Sequence, residues 1–554
     1  MQKYFLSRGW QFVWLFLLGG FLFFFRLGVP GLMDPDEGRY AEIAREMLAS
    51  GDFITPQLNF LPYLEKPPLV YWLTALLLKL CGSAEWAVRL VPALSALGGM
   101  WAVSWLATQL WDPETALVSA IITATSTGFF LLGRILTLDM TLTCSLSWGV
   151  ALAYVAWRNG TRRYLLWAYL MLGLGVLTKG PVALVLPALI FLIALIMAGQ
   201  GRQWRRLWHP GGALLLVLLV LPWYILVAWQ DPEFGRYFFW EEHVQRFLTP
   251  RIHAGQPFYF YVGVVLVGFL PWTFLLPWGW GATTGDLRGS QAAADRRFLI
   301  IWFGVVFVFF SLARAKLFPY LLPGLPPLAL LMGKALVGAG AQDRFASRLW
   351  RWTLLGWLAA AILLLIGMAA LRLVAPQTWA RLADLAPLLL AAGFVLALLP
   401  LLLLCQRAAT PILRVAVLVG GALVFNLLLI MGVERLAERR SPRGLAQVIN
   451  QYRQPDTILL GYQAYSQAIS FYTGQPLYLF GIRGELDFGL RQRPNNPYYL
   501  KTLAEVSCFL QKNPNNLIII DMENFTIFQD MHPYPVKVLT RWQKYLLIRN
   551  GSRQ

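Results

Sequence analysis

The chain alternates long apolar runs with short polar stretches up to about residue 432. An apolar run of roughly 17 to 25 residues is long enough to cross a bilayer as a helix. The first run lacks a small-residue cleavage site, so it is predicted to be a retained helix and not a signal peptide. The predicted transmembrane helices, about 13 in number, cover residues 10–27, 86–109, 115–133, 138–157, 163–178, 180–198, 212–229, 258–279, 297–313, 317–338, 352–373, 384–405 and 414–432.

One further apolar run, residues 67–80, differs from the others. It begins with Pro67 and Pro68, and with ~14 residues it is short for a full crossing. Counting it as a crossing would also invert the loops before Arg158 and place the N-terminus outside. We therefore predict that residues 66–82 lie along, or dip into, the outer interface of the membrane.

Lysine and arginine in short loops mark the cytoplasmic side of a membrane protein. The N-terminus and four loops are assigned to that side, the loops being those that contain Arg158, Arg202, Arg288 and Arg344. The same assignment places the unusual polar residues on the outer face: Asp34, Asp36, Glu37, Arg39, Glu65, Lys66, Arg134, Asp139, Lys179, Glu241, Glu242, His243, Arg246, Arg251, His253, Arg314, Lys316 and Tyr320.

Residues 433–554 have the pattern of a small soluble domain. The sequence at 441–444, Ser-Pro-Arg-Gly, is a start signal for an amphipathic helix. Runs at 456–461 and 516–521 are typical of strands, and residues 465–472 suit another helix. The predicted fold is an α-helical polytopic membrane domain over residues 1–432, with outer loops at 28–85 and 230–257, followed by an outer α/β domain over 433–554.

The composition supports a membrane protein, because 58% of the residues are hydrophobic and only 14% are charged. A soluble domain has about 25% charged residues. The net charge of +19 is explained by the cytoplasmic loops, and no motif for nucleic acid is present. The four cysteines are scattered, and Cys508 outside the spans is predicted to be a free thiol.

The most unusual polar segment follows the first predicted span and reads Asp34-Pro35-Asp36-Glu37. Asp34 fits the N-cap of a following helix. Asp36 has less to do structurally, and carboxylates beside a bilayer are costly and usually functional. Asp36 is therefore the first candidate for chemistry.

Glu65 and Lys66 precede two prolines that stiffen the chain. Either residue alone suits an interfacial anchor with a snorkelling lysine. The functional alternative makes Lys66 a point charge for a phosphate and Glu65 a ligand for a divalent metal.

Other candidates lie at the outer ends of later spans. Arg134 and Asp139 either form an ion pair that closes a turn or take part in function, and Lys179 either snorkels or binds substrate. Arg251 suits a phosphate fork. The outer loop 230–257 contains His243 and His253 but no HExxH motif, so the sequence gives only weak evidence for a metal site there. Tyr320 is either an interfacial residue or a hydrogen-bond donor to a headgroup.

These motifs together resemble the C-type membrane glycosyltransferases (GT-C), which include the protein O-mannosyltransferases and use polyprenyl-phosphate sugars. The most specific parts are residues 35–52 and Tyr63-Leu64-Glu65-Lys66-Pro67-Pro68, which resemble the lipid A aminoarabinose transferases. The resemblance covers the full chain. It implies a monomeric enzyme of the bacterial inner membrane, with its active site and C-terminal domain in the periplasm.

The resemblance also implies the substrates and the roles of residues. The donor is an undecaprenyl-phosphate-linked 4-amino-4-deoxy-L-arabinose and the acceptor is a phosphate of lipid A, a modification linked to polymyxin resistance. The implied catalytic residues are Asp36 and Asp139. Glu65 and His253 are the implied ligands of a zinc or magnesium ion. The implied substrate-binding residues are Arg39, Tyr40, Tyr63, Lys66, Lys179, Arg251 and Tyr320, with Lys66 and Arg251 on the donor phosphate.

Three alternatives remain at this stage. A related transferase would use a hydroxyl of a protein or polysaccharide as the acceptor. A transporter of lipid-linked sugar would have charges at mid-membrane and two repeated halves, and neither feature is evident in the sequence. A scaffold protein would leave the outer acids and bases unexplained.

Overall fold

The computed structural model describes residues 8–249, 255–277, 291–338, 344–405, 411–513, 515–531 and 536–550. Contacts divide the chain into two compact units. Unit 1 comprises Met1–Phe25, Pro92–Ile225 and Phe239–Val433, and unit 2 comprises Arg26–Val91, Leu226–Phe238 and Glu434–Gln554. The domain boundaries inferred from the sequence stay predictions.

The protein is an α-helical membrane protein whose helices follow the predicted apolar runs. The first helices are α1 (Arg8–Phe24), α2 (Asp36–Ser50), α3 (Leu69–Cys81), α4 (Glu85–Leu110), α5 (Pro113–Thr125), α6 (Thr127–Leu132), α7 (Leu138–Asn159), α8 (Arg163–Lys179), α9 (Val182–Met197) and α10 (Pro210–Gln230). The next are α11 (Arg246–Leu248), α12 (Phe260–Gly268), α13 (Gln291–Leu312), α14 (Leu325–Gly338), α15 (Arg344–Val374), α16 (Pro376–Leu382), α17 (Ala386–Cys405) and α18 (Pro411–Arg440). Short 3-10 segments cover Gly201–Arg206, Trp272–Leu275, Phe318–Gly324 and Ala383–Leu385, and a π-helix covers Arg236–Gln245.

Within the described ranges, six helical stretches are long and apolar enough to cross a membrane. They are Glu85–Leu110, Leu138–Asn159, Pro210–Gln230, Phe318–Gly338, Arg351–Val374 and Leu413–Arg440. Helix α3 is a shorter apolar helix, in the place where an interfacial segment was expected. The number of about 13 crossings and the interfacial placement of α3 stay predictions.

Two of the predicted spans are not continuous helices. The run at 115–133 is interrupted at Ser126, whose backbone is extended, and the run at 258–279 is interrupted near Pro271. Proline cannot donate the backbone hydrogen bond that would continue a helix. A helix broken at membrane depth needs other partners for its freed carbonyls. The side-chain amide of Asn426 supplies one of them, at 2.9 Å from the last carbonyl oxygen of α5.

The C-terminal part of unit 2 is an α/β fold. Its helices are α19 (Arg443–Tyr452), α20 (Gln467–Thr473), α21 (Asp487–Gln492), α22 (Leu503–Lys512) and α23 (Met522–Met531), with a 3-10 turn at Gly484–Leu486. Its strands are β3 (Ile458–Tyr462), β4 (Tyr478–Phe480), β5 (Tyr499–Leu500), β6 (Asn516–Asp521), β7 (Val536–Trp542) and β8 (Tyr545–Asn550). The predicted strands and helices at 441–472 and 516–521 are therefore confirmed as α19, β3, α20 and β6.

The sheet has the strand order β5-β4-β3-β6-β8-β7. Strand β3 runs parallel to β4 and β6, whereas the hairpin of β7 and β8 pairs antiparallel to β6. Side chains such as Leu460, Ile518, Ile520 and Ile548 are almost fully buried and form the core. The apolar run at 516–521 is buried along its whole length, as expected of a central strand.

The segment after α1 is fixed by a buried guanidinium. Arg89 of α4 forms a two-pronged ion pair with Glu37 of α2, at 2.7 and 2.8 Å, and both side chains are almost inaccessible to solvent. The remaining hydrogens of Arg89 go to the carbonyl oxygens of Leu27, Pro30 and Gly31, at 2.6 to 3.1 Å. The guanidinium group has five N–H donors, and all five are used in these hydrogen bonds. The loop between α1 and α2 therefore wraps around one side chain.

Asp34 in the same loop does not cap α2, contrary to the expectation from the sequence. The residue before α2 is Pro35, and no side chain caps that helix. Asp34 instead accepts a hydrogen bond from the backbone N–H of Ala468 at 3.0 Å and another from the hydroxyl of Ser466, at the start of α20. Burial raises the pKa of Asp34 to about 6, against the opposing effect of these two hydrogen bonds.

A short hairpin, β1 (Gln57–Leu58) and β2 (Leu61–Pro62), leads to the segment with Glu65 and Lys66. Its turn residues Asn59 and Phe60 have positive φ, which is uncommon for non-glycine residues. The buried carboxylate of Glu46 accepts both of their backbone N–H groups, at 2.7 and 2.9 Å. These two hydrogen bonds to Glu46 stabilise the positive-φ conformation of the turn.

The first prediction concerns the fork of Arg89. Arg89→Met leaves Glu37 buried without its counter-charge and three carbonyls without their donor. Removing one partner of a buried pair costs about 3–5 kcal/mol, so we expect a large fall in the thermal stability of the purified protein. The control is Arg491→Met, which breaks the exposed pair with Asp487 (3.3 Å). That control should cost less than about 1 kcal/mol, and equal losses in both variants would contradict the assigned role of Arg89.

The second prediction concerns Asp34 and pH. Its raised pKa means that the folded chain binds the proton more tightly than the unfolded chain. The free energy of unfolding should therefore fall as pH rises from about 4 to about 6 and be level above that. Asp34→Asn should remove this contribution. We expect the stability difference between the native protein and the variant to change with pH across this window, with exposed Asp530→Asn as a control that shows no such change.

Candidate active site

Asp36 and Arg39 lie on the first turn of α2. The Asp36 side chain is 55% exposed, and its Oδ1 is 3.4 Å from Nη1 of Arg39. On its other side, Nε of Arg39 is 2.5 Å from Oε2 of Glu485, and both of those side chains are mostly buried. Burial raises the pKa of Glu485 above its usual value, while Arg39 and a hydrogen bond from Gln467 oppose that rise. One guanidinium thus contacts two carboxylates, of which only Asp36 is open to solvent.

Tyrosine rings surround the same guanidinium. The central carbon of Arg39 is 5.9 Å from the ring centroid of Tyr40 and 6.0 Å from that of Tyr63, distances at which a cation is attracted to a ring. The ring of Tyr71 lies 5.8 Å from that of Tyr40. The hydroxyls of Tyr63 and Tyr71 are buried and have no hydrogen-bond partner in the described part of the chain. Such groups normally find a partner when they are buried.

Glu65 and Lys66 follow in the same unit and are both half-buried. The ammonium of Lys66 donates to the carbonyl oxygen of Glu65 at 2.9 Å. Burial, and then the nearby charge of Glu65, raise the pKa of Tyr63 well above its usual value. Unit 2 thus brings together a set that we call the Arg39 cluster: Asp36, Arg39, Tyr40, Tyr63, Glu65 and Glu485.

A second cluster lies in unit 1. Nζ of Lys179, the last residue of α8, is 2.5 Å from Oδ1 of Asp139 at the start of α7. The same Nζ is 4.4 Å from the ring centroid of Tyr320. Both charged side chains are mostly buried, with 15% and 13% exposed. We call Asp139, Lys179 and Tyr320 the Lys179 cluster.

The sequence suggested that Arg134 either pairs with Asp139 or takes part in function, and the structure shows contacts of Arg134 with the end of α1. Its guanidinium donates to the carbonyl oxygens of Leu22 and Phe25, each at 2.7 Å, at the end of α1. Asp139 pairs with Lys179, and the ion pair between Arg134 and Asp139 stays a prediction. Arg134 supplies the donors that the last carbonyls of a helix lack.

The backbone after Lys179 explains how α8 stops at this place. Gly180 has φ 79° and ψ −150°, a conformation that side chains with a Cβ rarely adopt. The carbonyl oxygen of Lys179 is 3.4 Å from Nε2 of His243 in the π-helix. Helices α8 and α9 would otherwise continue one apolar run, and Gly180 separates them so that the lysine lies at the helix end.

Two of the predicted site residues, Arg251 and His253, lie outside the described residues. Over the ranges that the structure does describe, no group of three His, Cys, Asp or Glu side chains could hold a metal ion. Glu65 is close to Arg39, which is a cation already in place. The described residues therefore do not fit a metal centre, and we assign no chemical step to a metal. The zinc or magnesium ion at Glu65 and His253 stays a prediction.

Two residues of these arrangements escaped the sequence analysis. Glu485 comes from the C-terminal segment, which contains no recognisable site motif. Arg89 lies inside a helix that was predicted as an ordinary span. The sequence around it does not indicate that its partner is Glu37. The available signal was its charge within an apolar run, since such charges are rare and usually paired.

Two family profiles match the chain. The profile of dolichyl-phosphate-mannose-protein mannosyltransferases matches residues 65–226. The profile of the aminoarabinose transferase C-terminal domain matches residues 445–550. The match at 445–550 covers the α/β part of unit 2, and the match at 65–226 covers the helices around Asp139 and Lys179.

Curated relatives carry the name undecaprenyl phosphate-alpha-4-amino-4-deoxy-L-arabinose arabinosyl transferase. The relative from Edwardsiella ictaluri is 35% identical over 370 residues, an alignment that spans 65% of this chain and 65% of that protein. The relative from Erwinia tasmaniensis is 31% identical over 476 residues, with 84% of each chain covered.

Solved structures extend the likeness to nearly the whole chain. ArnT from Cupriavidus metallidurans bound to undecaprenyl phosphate matches with a TM-score of 0.85 and 28% identity, covering 98% of both chains. The apo structure of the same protein matches with a TM-score of 0.84. With the long alignment to the Erwinia relative, these likenesses confirm the family expected from the sequence. The chain belongs to the family of undecaprenyl phosphate-aminoarabinose arabinosyl transferases, which have the GT-C fold.

Proposed function

We propose that this protein transfers 4-amino-4-deoxy-L-arabinose from undecaprenyl phosphate to phosphate groups of lipid A. The observation that carries the proposal is the likeness over 98% of the chain to a transferase structure that holds undecaprenyl phosphate. The inner membrane of a bacterium, a periplasmic active site and a monomeric state are parts of the same proposal.

The reaction breaks the bond between the sugar and the donor phosphate. Positive charge develops on the sugar ring, and negative charge develops on the departing phosphate. A nearby carboxylate stabilises the ring, as in glycoside hydrolysis. Fixed cations stabilise the phosphate. The chain offers both kinds of group in each cluster, with Asp36 beside Arg39 and Asp139 beside Lys179.

Asp36 is the carboxylate with most freedom to meet a substrate, because it is exposed and only 3.4 Å from one nitrogen of Arg39. A phosphate acceptor is largely ionised at neutral pH, since its second pKa is about 6. It needs little help to lose a proton. We therefore assign to Asp36 the tasks of orienting the acceptor and balancing the charge of the sugar ring.

Lys179 is the cation of unit 1 that we assign to the donor phosphate, together with Arg251. The side chain of Lys179 is held between a carboxylate and the ring of Tyr320, so its position is set before a substrate arrives. The buried hydroxyl of Tyr63, without a partner in the described residues, is suited to donate to a hydroxyl of the sugar.

The third prediction is that Asp36→Asn abolishes transfer. The variant keeps the shape of the side chain and loses its charge, so we expect turnover to fall by at least about a hundredfold. Binding of undecaprenyl phosphate should be unchanged. The assay uses purified protein, a synthetic undecaprenyl-phosphate aminoarabinose and lipid A. Asp487→Asn, an exposed carboxylate of the same unit, is the control. Substantial turnover by Asp36→Asn would refute the role.

The fourth prediction is that Lys179→Gln weakens binding of undecaprenyl phosphate and lowers turnover. The substitution removes the positive charge that we assign to binding the donor phosphate. It also leaves Asp139 without the ion pair to Lys179. The matched control is Lys334→Gln, which breaks the more exposed pair with Asp112 (3.1 Å) in the same unit. A variant that melts like the native protein but binds the lipid phosphate normally would remove Lys179 from the donor site.

A second candidate function is transfer to a hydroxyl group of a protein or polysaccharide. It is favoured by the profile match at residues 65–226 to enzymes named for protein mannosylation. Asp36 would then act as a general base. Mass spectrometry of lipid A from cells with and without the protein separates the two candidates. A gain of one aminopentose supports the first, and unchanged lipid A supports the second.

A further inference from the structure

A cavity of about 290 Å³ lies in unit 1 at the far end of α7 from Asp139. Residues 139 and 158 are separated by about 28 Å along that helix, at 1.5 Å per residue. The cavity is lined by Tyr154, Trp157, Arg158, Ala194, Met197, Ala198, Gln200, Gln203, Arg206, Gln291, Ala294, Arg297, Phe298 and Ile301. It is therefore separate from the Lys179 cluster.

One wall of the cavity is built around a buried carboxylate. Asp295 is 1% exposed and accepts hydrogen bonds from the hydroxyl of Tyr154 (2.7 Å), from two nitrogens of Arg158 (2.9 and 3.0 Å) and from the amide of Gln291 (3.0 Å). The charge of Arg158 is balanced by this pair. Its guanidinium is held rigidly and keeps α7 and α13 together.

The lining also carries positive charge that no carboxylate of the described residues pairs with. Arg206 and Arg297 line the cavity, and no carboxylate of the described residues forms an ion pair with either of them. The indole N–H of Trp157 donates to the side-chain oxygen of Gln203 at 3.1 Å, which ties the 3-10 segment of Arg206 to α7. The two arginines are thus presented on a fixed frame.

The lining also contains apolar side chains. Ala194 and Met197 come from the end of α9, and Ile301 comes from α13. Met197 is 60% exposed. A cavity whose lining combines arginines and glutamines with aliphatic side chains suits an amphiphile with an anionic head.

We propose that this cavity binds the phosphodiester headgroup of an anionic phospholipid. Arg206 and Arg297 would hold the phosphate, since guanidinium groups match phosphate oxygens with paired donors. Gln200 and Gln203 would serve the neutral hydroxyls of a glycerol headgroup. A zwitterionic headgroup would be disfavoured because its ammonium would lie beside the arginines. Basic pockets between membrane helices are known to select lipids in this way.

The test uses the full-length protein, delipidated in a neutral detergent, with dioleoylphosphatidylglycerol and dioleoylphosphatidylcholine as probes. Native mass spectrometry and thermal unfolding report binding, since a ligand of the folded state raises the melting temperature. We expect the glycerol lipid to bind and stabilise, and the choline lipid to do neither. In Arg206→Gln/Arg297→Gln the affinity for the glycerol lipid should fall by about thirtyfold.

The control is Arg202→Gln/Arg205→Gln, which removes the same amount of charge at two positions outside the cavity lining, both in the 3-10 segment that contains Arg206. It should bind the lipid like the native protein. Equal loss in both variants, or no loss in either, overturns the proposal. A third arm adds millimolar inorganic phosphate against chloride of the same ionic strength. Displacement by phosphate alone would assign the cavity to free phosphate and overturn the lipid assignment, whereas no displacement supports it.

Discussion

The structure of unit 2 depends on how it accommodates neighbouring carboxylates after the first helix. Glu37 is 1% exposed, and both of its carboxylate oxygens accept hydrogen bonds from Arg89. The side chain of Asp36, one residue earlier, is 55% exposed. A buried charge is costly unless it is paired and hydrogen-bonded. Arg89 meets that condition for Glu37 and also binds three loop carbonyls. The pair thus holds the loop whose next helix starts at Asp36.

The two candidate clusters share one arrangement of charges. In each, a cation lies between a carboxylate and a tyrosine ring, with Arg39 in one and Lys179 in the other. An opposite charge lowers the cost of burying each cation. Arg39 contacts a second carboxylate as well, that of Glu485. In the proposed reaction, an incoming phosphate would compete with the carboxylate for the cation, and the carboxylate would balance the positive charge that develops on the sugar ring.

The sequence predicted what is encoded locally. Local sequence predicted the strand at 516–521 and the helix after the Ser-Pro signal, and the structure confirms both. The apolar runs were likewise predicted locally, and the helices follow them. Long-range partners carry no local mark. Asp34 has the composition of an N-cap, yet its partner is the backbone of Ala468. Arg39 was expected at a binding site, but nothing near Glu485 indicated that the C-terminal segment would supply its partner. Asp36, Asp139 and Lys179 were proposed because acids and bases beside a bilayer are costly, and their roles stay predictions.

Arginines at the ends of membrane helices are usually interpreted as signals for orientation. The arginines around the cavity at the end of α7 have contacts that go beyond orientation. Arg158 is engaged by the buried carboxylate of Asp295, so its role is to join helices. Arg206 and Arg297 line the same cavity without such a partner in the described residues. An orientation signal requires only charge on the correct side, and it would be satisfied by arginines anywhere in these loops. Their placement around one cavity that also has apolar lining residues is a stronger constraint, and the proposed lipid headgroup would account for it.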